Sequence, residues 1–236
     1  ARGIVRMEWV LARYGQIIPT NWSATDHINW INAFAPIEYE IANAQNITVK
    51  GCLENNFEWL LFVEDDVLLP PHAFMAFNAH MRKGKVPIIS GLYYTKSSPA
   101  EPILYRGRGN SYFDKFKIGE KVWVDGVPTG CLLIHNSILR AAWNEAPEYD
   151  AQGVRTRKIF EFPERIWYDP QTMAMQKEVG TSDLEFCSKL KRQKLFEKAG
   201  WPKYQKMKHP ILVDTGIFCF HITPDGKKYP LNGKGW

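Results

Sequence analysis

The chain has 236 residues, 45% of them apolar and 23% charged, a composition that excludes a disordered or low-complexity protein. Its 30 basic and 25 acidic residues leave a net charge of +5, and its length suits one domain with a substantial core. The longest apolar runs fall well short of the ~20 residues needed to span a bilayer, and with no signal-peptide pattern at the start the expected compartment is cytoplasmic.

In chain order, helices are expected over residues 25–34 and 39–55, the second with apolar Ile41, Ala44, Ile47, Val49 and Leu53. Next comes EWLLFVEDDVLLPP, residues 58–71. Its apolar run Trp59–Val63 has the length of a buried strand and stops at Glu64, Asp65 and Asp66. Burying an unpartnered carboxylate costs several kcal/mol, so the three acids must sit where the strand emerges. In open α/β sheets ligands bind outside the carboxyl ends of strands. Clustered oxygen ligands there suit Mg²⁺ or Mn²⁺ carrying a phosphorylated substrate, and a solvated acidic turn is the plainer alternative.

Pro70 and Pro71 suit the first turn of a helix running to about Met81. Val86–Leu92 is a second buried strand, and residues 93–121, rich in Gly, Pro and Tyr, form a long excursion. Val122–Val127 leads through Pro128, Thr129 and Gly130 into a strand at Cys131–Ile134, followed by a short helix at Ser137–Trp143. Residues 144–180 show weak patterning, and a loop of that length in a compact domain is usually functional. Thr181 and Ser182 are good N-caps, with Glu185 placed for a capping box, and the helix from Asp183 to about Lys198 stops at Gly200. Strands are expected at Ile211–Val213 and Ile217–Phe220, the second delivering His221 at its end. Residues 223–236 form a polar tail.

The basic residues cluster in Lys189–Lys208, a face that could meet phosphates, anionic lipid or nucleic acid, with a solvated helix face as the plainer reading. Cys52, Cys131, Cys187 and Cys219 are widely spaced and describe neither a disulfide framework nor a zinc site.

Three acidic or imidazole groups thus stand at the edges of apolar elements: Glu64-Asp65-Asp66, Asp183 at a helix start, and His221 after a strand. An imidazole there can ligate a metal, and an acid in a first helical turn can simply favour the helix dipole. Their order along the chain resembles a GT-A-fold glycosyltransferase, close to the large inverting family 2 and its phage and bacterial relatives, over about residues 42–222. WLLFVEDDVLLPPHAF looks like the DxD-type segment, and VPIISGLYY followed by PILY like the next strand and crossover. VDGVPTGCLLIHNSIL resembles the segment beneath the acceptor site. TSDLEFCSKLKRQ is similar to the helix start that supplies the base, and AGWPKYQKMKHPILVDTGIFCFHI to the closing strands.

The resemblance implies a single α/β domain with a mixed, mostly parallel central sheet. Residues 1–125 would form the nucleotide-sugar-binding half, 126–222 the acceptor and catalytic half, and 223–236 a tail. It implies transfer of a sugar from a nucleotide-diphosphate sugar, a UDP- or GDP-sugar, to a saccharide or other hydroxyl acceptor. Asp66 and His221 would ligate Mn²⁺ or Mg²⁺, Asp65 would bind the ribose or assist the metal, and Glu64 would support them. Asp183 would be the general base. Gly130, Trp167 and Tyr168 would line the acceptor groove. No nucleic-acid partner is expected, and residues 189–208 offer a peripheral membrane contact.

Departures from the family pattern are visible. Residues 17–21, IIPTN, imitate the usual nucleotide-binding turn but lack a long strand before them. Gln45 stands at a cofactor-facing position where relatives often carry an Arg that meets the diphosphate. Thr181-Ser182-Asp183 replaces the usual Glu-Asp pair. Retaining GT-A enzymes, sugar-phosphate nucleotidyltransferases, metal-dependent nucleases and non-catalytic carbohydrate-binding domains are the alternatives. The nuclease would bind DNA with steep salt dependence, and the carbohydrate-binding domain would show no turnover.

Overall fold

The computed structural model describes residues 6–17, 36–107 and 112–231, with the side chains of 165–167 and 176–179 left out. The expected helix over 25–34 and most of the turn at 17–21 lie outside the described residues. In chain order the elements are α1 (Met7–Tyr14), α2 (Ile41–Glu54), β1 (Trp59–Val63), β2 (Val67–Leu68), α3 (Ala73–Lys83), β3 (Ile88–Leu92), β4 (Lys121–Val124), β5 (Cys131–His135) and α4 (Asn136–Glu145). They continue with β6 (Glu148–Ala151), β7 (Val154–Arg157), β8 (Glu164–Asp169), β9 (Ala174–Val179), α5 (Ser182–Arg192), α6 (Leu195–Lys198), α7 (Pro202–Lys206), β10 (Ile211–Phe218), β11 (Phe220–Ile222) and β12 (Lys228–Tyr229).

The central sheet has five strands in the order β1-β5-β3-β10-β4. Its strands alternate which face they bury, as the two-residue period of a strand requires. Ile88, Leu132 and Ile134 face one apolar cluster with α2, α4, α5 and α6. Ile89, Leu133 and Cys131 face the opposite cluster, where Phe74 and Phe77 of α3 pack. Helices therefore cover both faces. Each fully buried aromatic or branched side chain contributes about 1.5–3 kcal/mol of transfer free energy.

The expectation of a mostly parallel sheet is corrected. β1–β5, β5–β3 and β10–β4 pair antiparallel, and β3–β10 alone among the sheet's pairings is parallel. The reason is the connection after β3. A parallel partner needs a long crossover, usually a helix, whereas the described residues between β3 and β4 hold no helix and let β4 and β5 return in either sense. β1, β3 and β10 nevertheless all point the same way, because β5 is antiparallel to both β1 and β3. Their carboxyl ends share one edge.

Several smaller expectations are also corrected. Pro70 and Pro71 form the turn before α3, with the Ala73 amide donating to the Pro70 carbonyl at 2.9 Å. The two strands read over 211–220 form one strand, β10, with a bulge between Asp214 and Phe218, then β11. Residues 144–180 fold into two antiparallel hairpins, β6–β7 and β8–β9. No capping box closes α5: Thr181 makes no side-chain cap, and Glu185 pairs instead with Arg192. The basic stretch is not a continuous free face. Lys189 is buried against Glu161 at 2.5 Å, Lys191 donates to the Gln205 and Met207 carbonyls, and Lys198 meets Glu145 at 2.7 Å. All four cysteines are free and buried, and among the described residues no helix is long and apolar enough to cross a membrane.

Candidate functional site

The shared carboxyl edge of β1, β3 and β10 gathers residues from four parts of the chain. After β1 the backbone turns tightly, the Val67 amide donating to the Glu64 carbonyl at 3.1 Å. Asp65 and Asp66 occupy the corner of that turn. The turn is held from outside as well. Trp9 Nε1 of α1 donates to the Glu64 carbonyl at 2.8 Å, and Arg6 donates to the Asp65 carbonyl at 3.0 Å.

β2 then pairs with β11, setting His221 opposite Val67, while the Ile222 amide donates to the Asp66 carbonyl at 2.8 Å. That register puts the His221 ring beside Asp66. His221 Nε2 lies 3.4 Å from Asp66 Oδ2, and Nδ1 lies 2.8 Å from the Tyr94 carbonyl. A carbonyl only accepts, so Nδ1 carries a proton; Nε2 faces the carboxylate, donating to it when the ring is doubly protonated and offering a lone pair when the ring is neutral. Tyr93 stands edge-on to the same ring at 5.5 Å. Lys96 Nζ sits on Asp66 Oδ2 at 2.5 Å. Burial alone would raise the Asp66 carboxyl, but the hydrogen bonds and charges of His221 and Lys96 reverse this and bring it down to about 2.

Glu64 has a different environment two residues away. Burial pushes its carboxyl up, against a hydrogen bond from Thr129, and the charges of Asp66, Asp183 and Asp65 raise it further, to about 7. Thr129 Oγ1 donates to Glu64 Oε1 at 2.8 Å and accepts from Gln45 Nε2 at 2.8 Å. Gln45 Oε1 accepts from Ser182 Oγ, again at 2.8 Å. Thr129, Gln45 and Ser182 are all buried. A directed chain of hydrogen bonds thus runs from the first residue of α5 to the acidic turn, through α2 and the loop before β5.

Asp183 follows Ser182, and its Oδ1 accepts from the Leu184 amide at 2.8 Å. Its charge reaches Glu64, Tyr93, Tyr105 and Cys187, raising each of them. Glu64, Asp65, Asp66, His221 and Asp183 are therefore brought to one corner. Gln45 is not: it is a buried member of the relay rather than a cofactor-facing group, because its amide satisfies Thr129 and Ser182 at once.

The acceptor residues fare unevenly. Gly130 is corrected from a groove residue to a packing one. A Cβ there would lie 2.3 Å from the Tyr93 hydroxyl and 2.8 Å from Val67, and the Gly130 amide donates to that hydroxyl at 2.9 Å. Tyr168 is 55% exposed on the β8–β9 hairpin, whose base is tied by the Gly180 amide to the Pro163 carbonyl at 3.0 Å. The Trp167 side chain lies outside the described residues. A cleft of about 350 Å³ opens beside Tyr94, lined also by Glu101, Pro102, Tyr112, Asp114 and Phe116.

Among the described residues no group of three or more His, Cys, Asp and Glu side chains is gathered to hold a metal ion. Asp66 Oδ2 and His221 Nε2 nonetheless form a pair of donors, oxygen and imidazole, with the imidazole orientation fixed from behind by a carbonyl, as metal-ligating histidines are. This donor set fits Mn²⁺ better than Mg²⁺, which favours oxygen and water. The Lys96 ammonium already supplies one positive charge at that oxygen.

Lys96 and Thr129 carried no sequence signal as site residues. Lys96 lies in a Ser- and Pro-rich bend, and Thr129 was legible only as part of a turn before β5.

No family model and no curated protein matches this chain. A solved structure is similar: the crystal structure of A197 from STIV, at 15% sequence identity and a TM-score of 0.54, covering 100% of this chain and 93% of that one. That likeness concerns the fold. It supports a mixed α/β architecture shared over nearly the full length of both chains.

Proposed function

We propose that this chain is a metal-dependent glycosyltransferase that moves a sugar from a nucleotide-diphosphate sugar to an acceptor hydroxyl, with inversion. The observation that carries the reading is the approach of His221 Nε2 to Asp66 Oδ2 at 3.4 Å, with Asp183 close enough to act on the neighbouring Glu64. Asp66 and His221 would hold Mn²⁺, which would offset the charge of a departing diphosphate. Asp183 takes the proton of the acceptor hydroxyl as that oxygen bonds to the anomeric carbon. The bond from that carbon to the diphosphate breaks, and its electron pair leaves with the diphosphate. A positioned general base of this kind contributes about 10²–10⁴-fold.

The hydrogen-bond chain from Ser182 to Glu64 keeps the base helix in register with the acidic turn. The cleft beside Tyr94 offers aromatic rings and carboxylates, a surface suited to sugar faces and hydroxyls. Donor hydrolysis over a panel of nucleotide-sugars with Mn²⁺ tests the reading. Turnover is expected for at least one donor and should fall at least a hundredfold in both Asp66→Ala and Asp183→Ala. Turnover unaffected by either change would overturn it.

The Lys96–Asp66 ion pair favours one second reading, a carbohydrate-binding domain whose cation position is closed by its own lysine. That reading predicts sugar binding without Mn²⁺ dependence and no turnover with any donor.

A further inference from the structure

We infer that Lys96 is a displaceable counter-ion, which holds the cation position on Asp66 until metal arrives and then turns to neutralise the nucleotide diphosphate. The inference rests on the metal-dependent reading above and adds a residue and an order of events to it.

Three observations carry it. The ammonium and the imidazole both address the same oxygen, Asp66 Oδ2, at 2.5 and 3.4 Å. A divalent cation on that oxygen and an ammonium at hydrogen-bond distance from it would repel each other strongly, so the two are alternatives. Second, the imidazole is pre-oriented without help from Lys96, because the Tyr94 carbonyl fixes its Nδ1 at 2.8 Å. Removing the ammonium therefore leaves both donors in place. Third, Lys96 is mounted on a short clipped bend. The Thr95 amide donates to the Glu101 carbonyl at 2.8 Å, and the Glu101 amide donates to Thr95 Oγ1 at 2.9 Å. The neck is fixed, while the side chain, 27% exposed, has solvent to turn into.

Charge decides where it would go. Asp65 and Asp66 of the acidic turn carry two negative charges, which a single ammonium only partly offsets. A bound divalent cation makes Asp66 unavailable to Lys96, and a diphosphate bound to that cation becomes the strongest anion within reach of a lysine side chain. Lysine suits this role because its flexible stem carries a compact charge between two oxygen partners.

The test measures Mn²⁺ binding to the full chain directly, from the electron paramagnetic resonance of the free ion, for wild type, Lys96→Met, Lys96→Arg and Asp66→Asn. Without nucleotide, Lys96→Met should bind Mn²⁺ about tenfold more tightly, the size of one charge-assisted hydrogen bond released from competition. Lys96→Arg should stay near wild type. At saturating Mn²⁺, calorimetry should show Lys96→Met losing about tenfold in affinity for UDP or GDP, whichever wild type binds. If Lys96→Met binds Mn²⁺ no more tightly than wild type while Asp66→Asn abolishes binding, the counter-ion inference is overturned and the metal reading stands. If neither wild type nor Lys96→Met binds Mn²⁺, with or without nucleotide, the metal reading fails and takes the inference with it.

Discussion

Asp66 and His221 meet because two short strands pair: β2 runs against β11, the Asp66 carbonyl accepts the Ile222 amide, and His221 Nε2 comes to 3.4 Å from Asp66 Oδ2. The contact is thus set by backbone register, not by the side chains alone. A one-residue slip of β11 would send the imidazole to the opposite face.

The relay from Ser182 to Glu64 predicts a stability cost out of proportion to the size of the change. Thr129→Val removes the donor to Glu64 and the acceptor for Gln45 while keeping the volume. Leaving buried polar groups unpaired should cost about 1–3 kcal/mol, a fall in Tm of about 2–12 °C for a chain of this length. Thermal unfolding measures it, and an unchanged Tm contradicts the relay.

Glu64 predicts a stability that declines with rising pH. In the folded chain its carboxyl titrates near 7, against 4.5 ordinarily. Below 4.5 both folded and unfolded chains hold the proton, and the shift has no effect. Between the two values the unfolded chain releases its proton first, so stability falls by about 3 kcal/mol as pH rises through the window. Asp66 acts in the opposite sense and lower down. Its contribution is present above the ordinary carboxylate range and is lost as pH falls toward about 2. Tm measured from pH 4 to 8 should decline in wild type and flatten in Glu64→Gln; parallel declines in the two proteins count against this assignment.

Gly130→Ala should damage the site through packing. The added methyl group would collide with the Tyr93 ring at 2.3 Å to its hydroxyl and 2.6 Å to the carbon bearing it, both fixed in the core. Overpacking of this kind costs about 1–3 kcal/mol. Tyr93→Phe removes the hydroxyl but not the ring contact, so it should rescue Gly130→Ala only in part, as a double-mutant cycle of Tm values would read.

The buried pair His80–Asp214, at 2.7 Å, ties α3 to β10. Burial would raise Asp214, but His80 and Lys121 hold its carboxyl below the usual range. Asp214→Ala leaves a buried imidazole without its partner and should cost about 1–3 kcal/mol. Mn²⁺ binding per folded molecule should be unchanged, and a selective loss of binding would tie this pair to the site.

Legibility in the sequence followed how locally each feature is encoded. β1 matched its expected bounds because an apolar run flanked by charge leaves few alternatives, and the acids did emerge at its end. Strand direction was not legible, since Val122–Val127 and Cys131–Ile134 look the same running either way, and only their pairing partners decide it. The β6–β7 hairpin carries a local signal in its turn. Gln152-Gly153 adopts positive φ at 52° and 89°, the requirement of a tight hairpin turn, and both neighbouring runs are short. Gln45 was legible as a polar residue on a helix but not as a buried one, because its partners Thr129 and Ser182 lie 84 and 137 residues away. Lys96 was invisible for the same reason: nothing in a Ser- and Pro-rich bend names the carboxylate it meets.

A crystal structure with UDP or GDP and Mn²⁺, using anomalous scattering to locate the metal, would show whether Asp66 and His221 hold the ion. One manganese peak is expected at Asp66 Oδ2 and His221 Nε2, with Lys96 turned from Asp66 toward the diphosphate. A nucleotide bound elsewhere, or Mn²⁺ absent from an intact Lys96–Asp66 ion pair at saturating concentration, would contradict it.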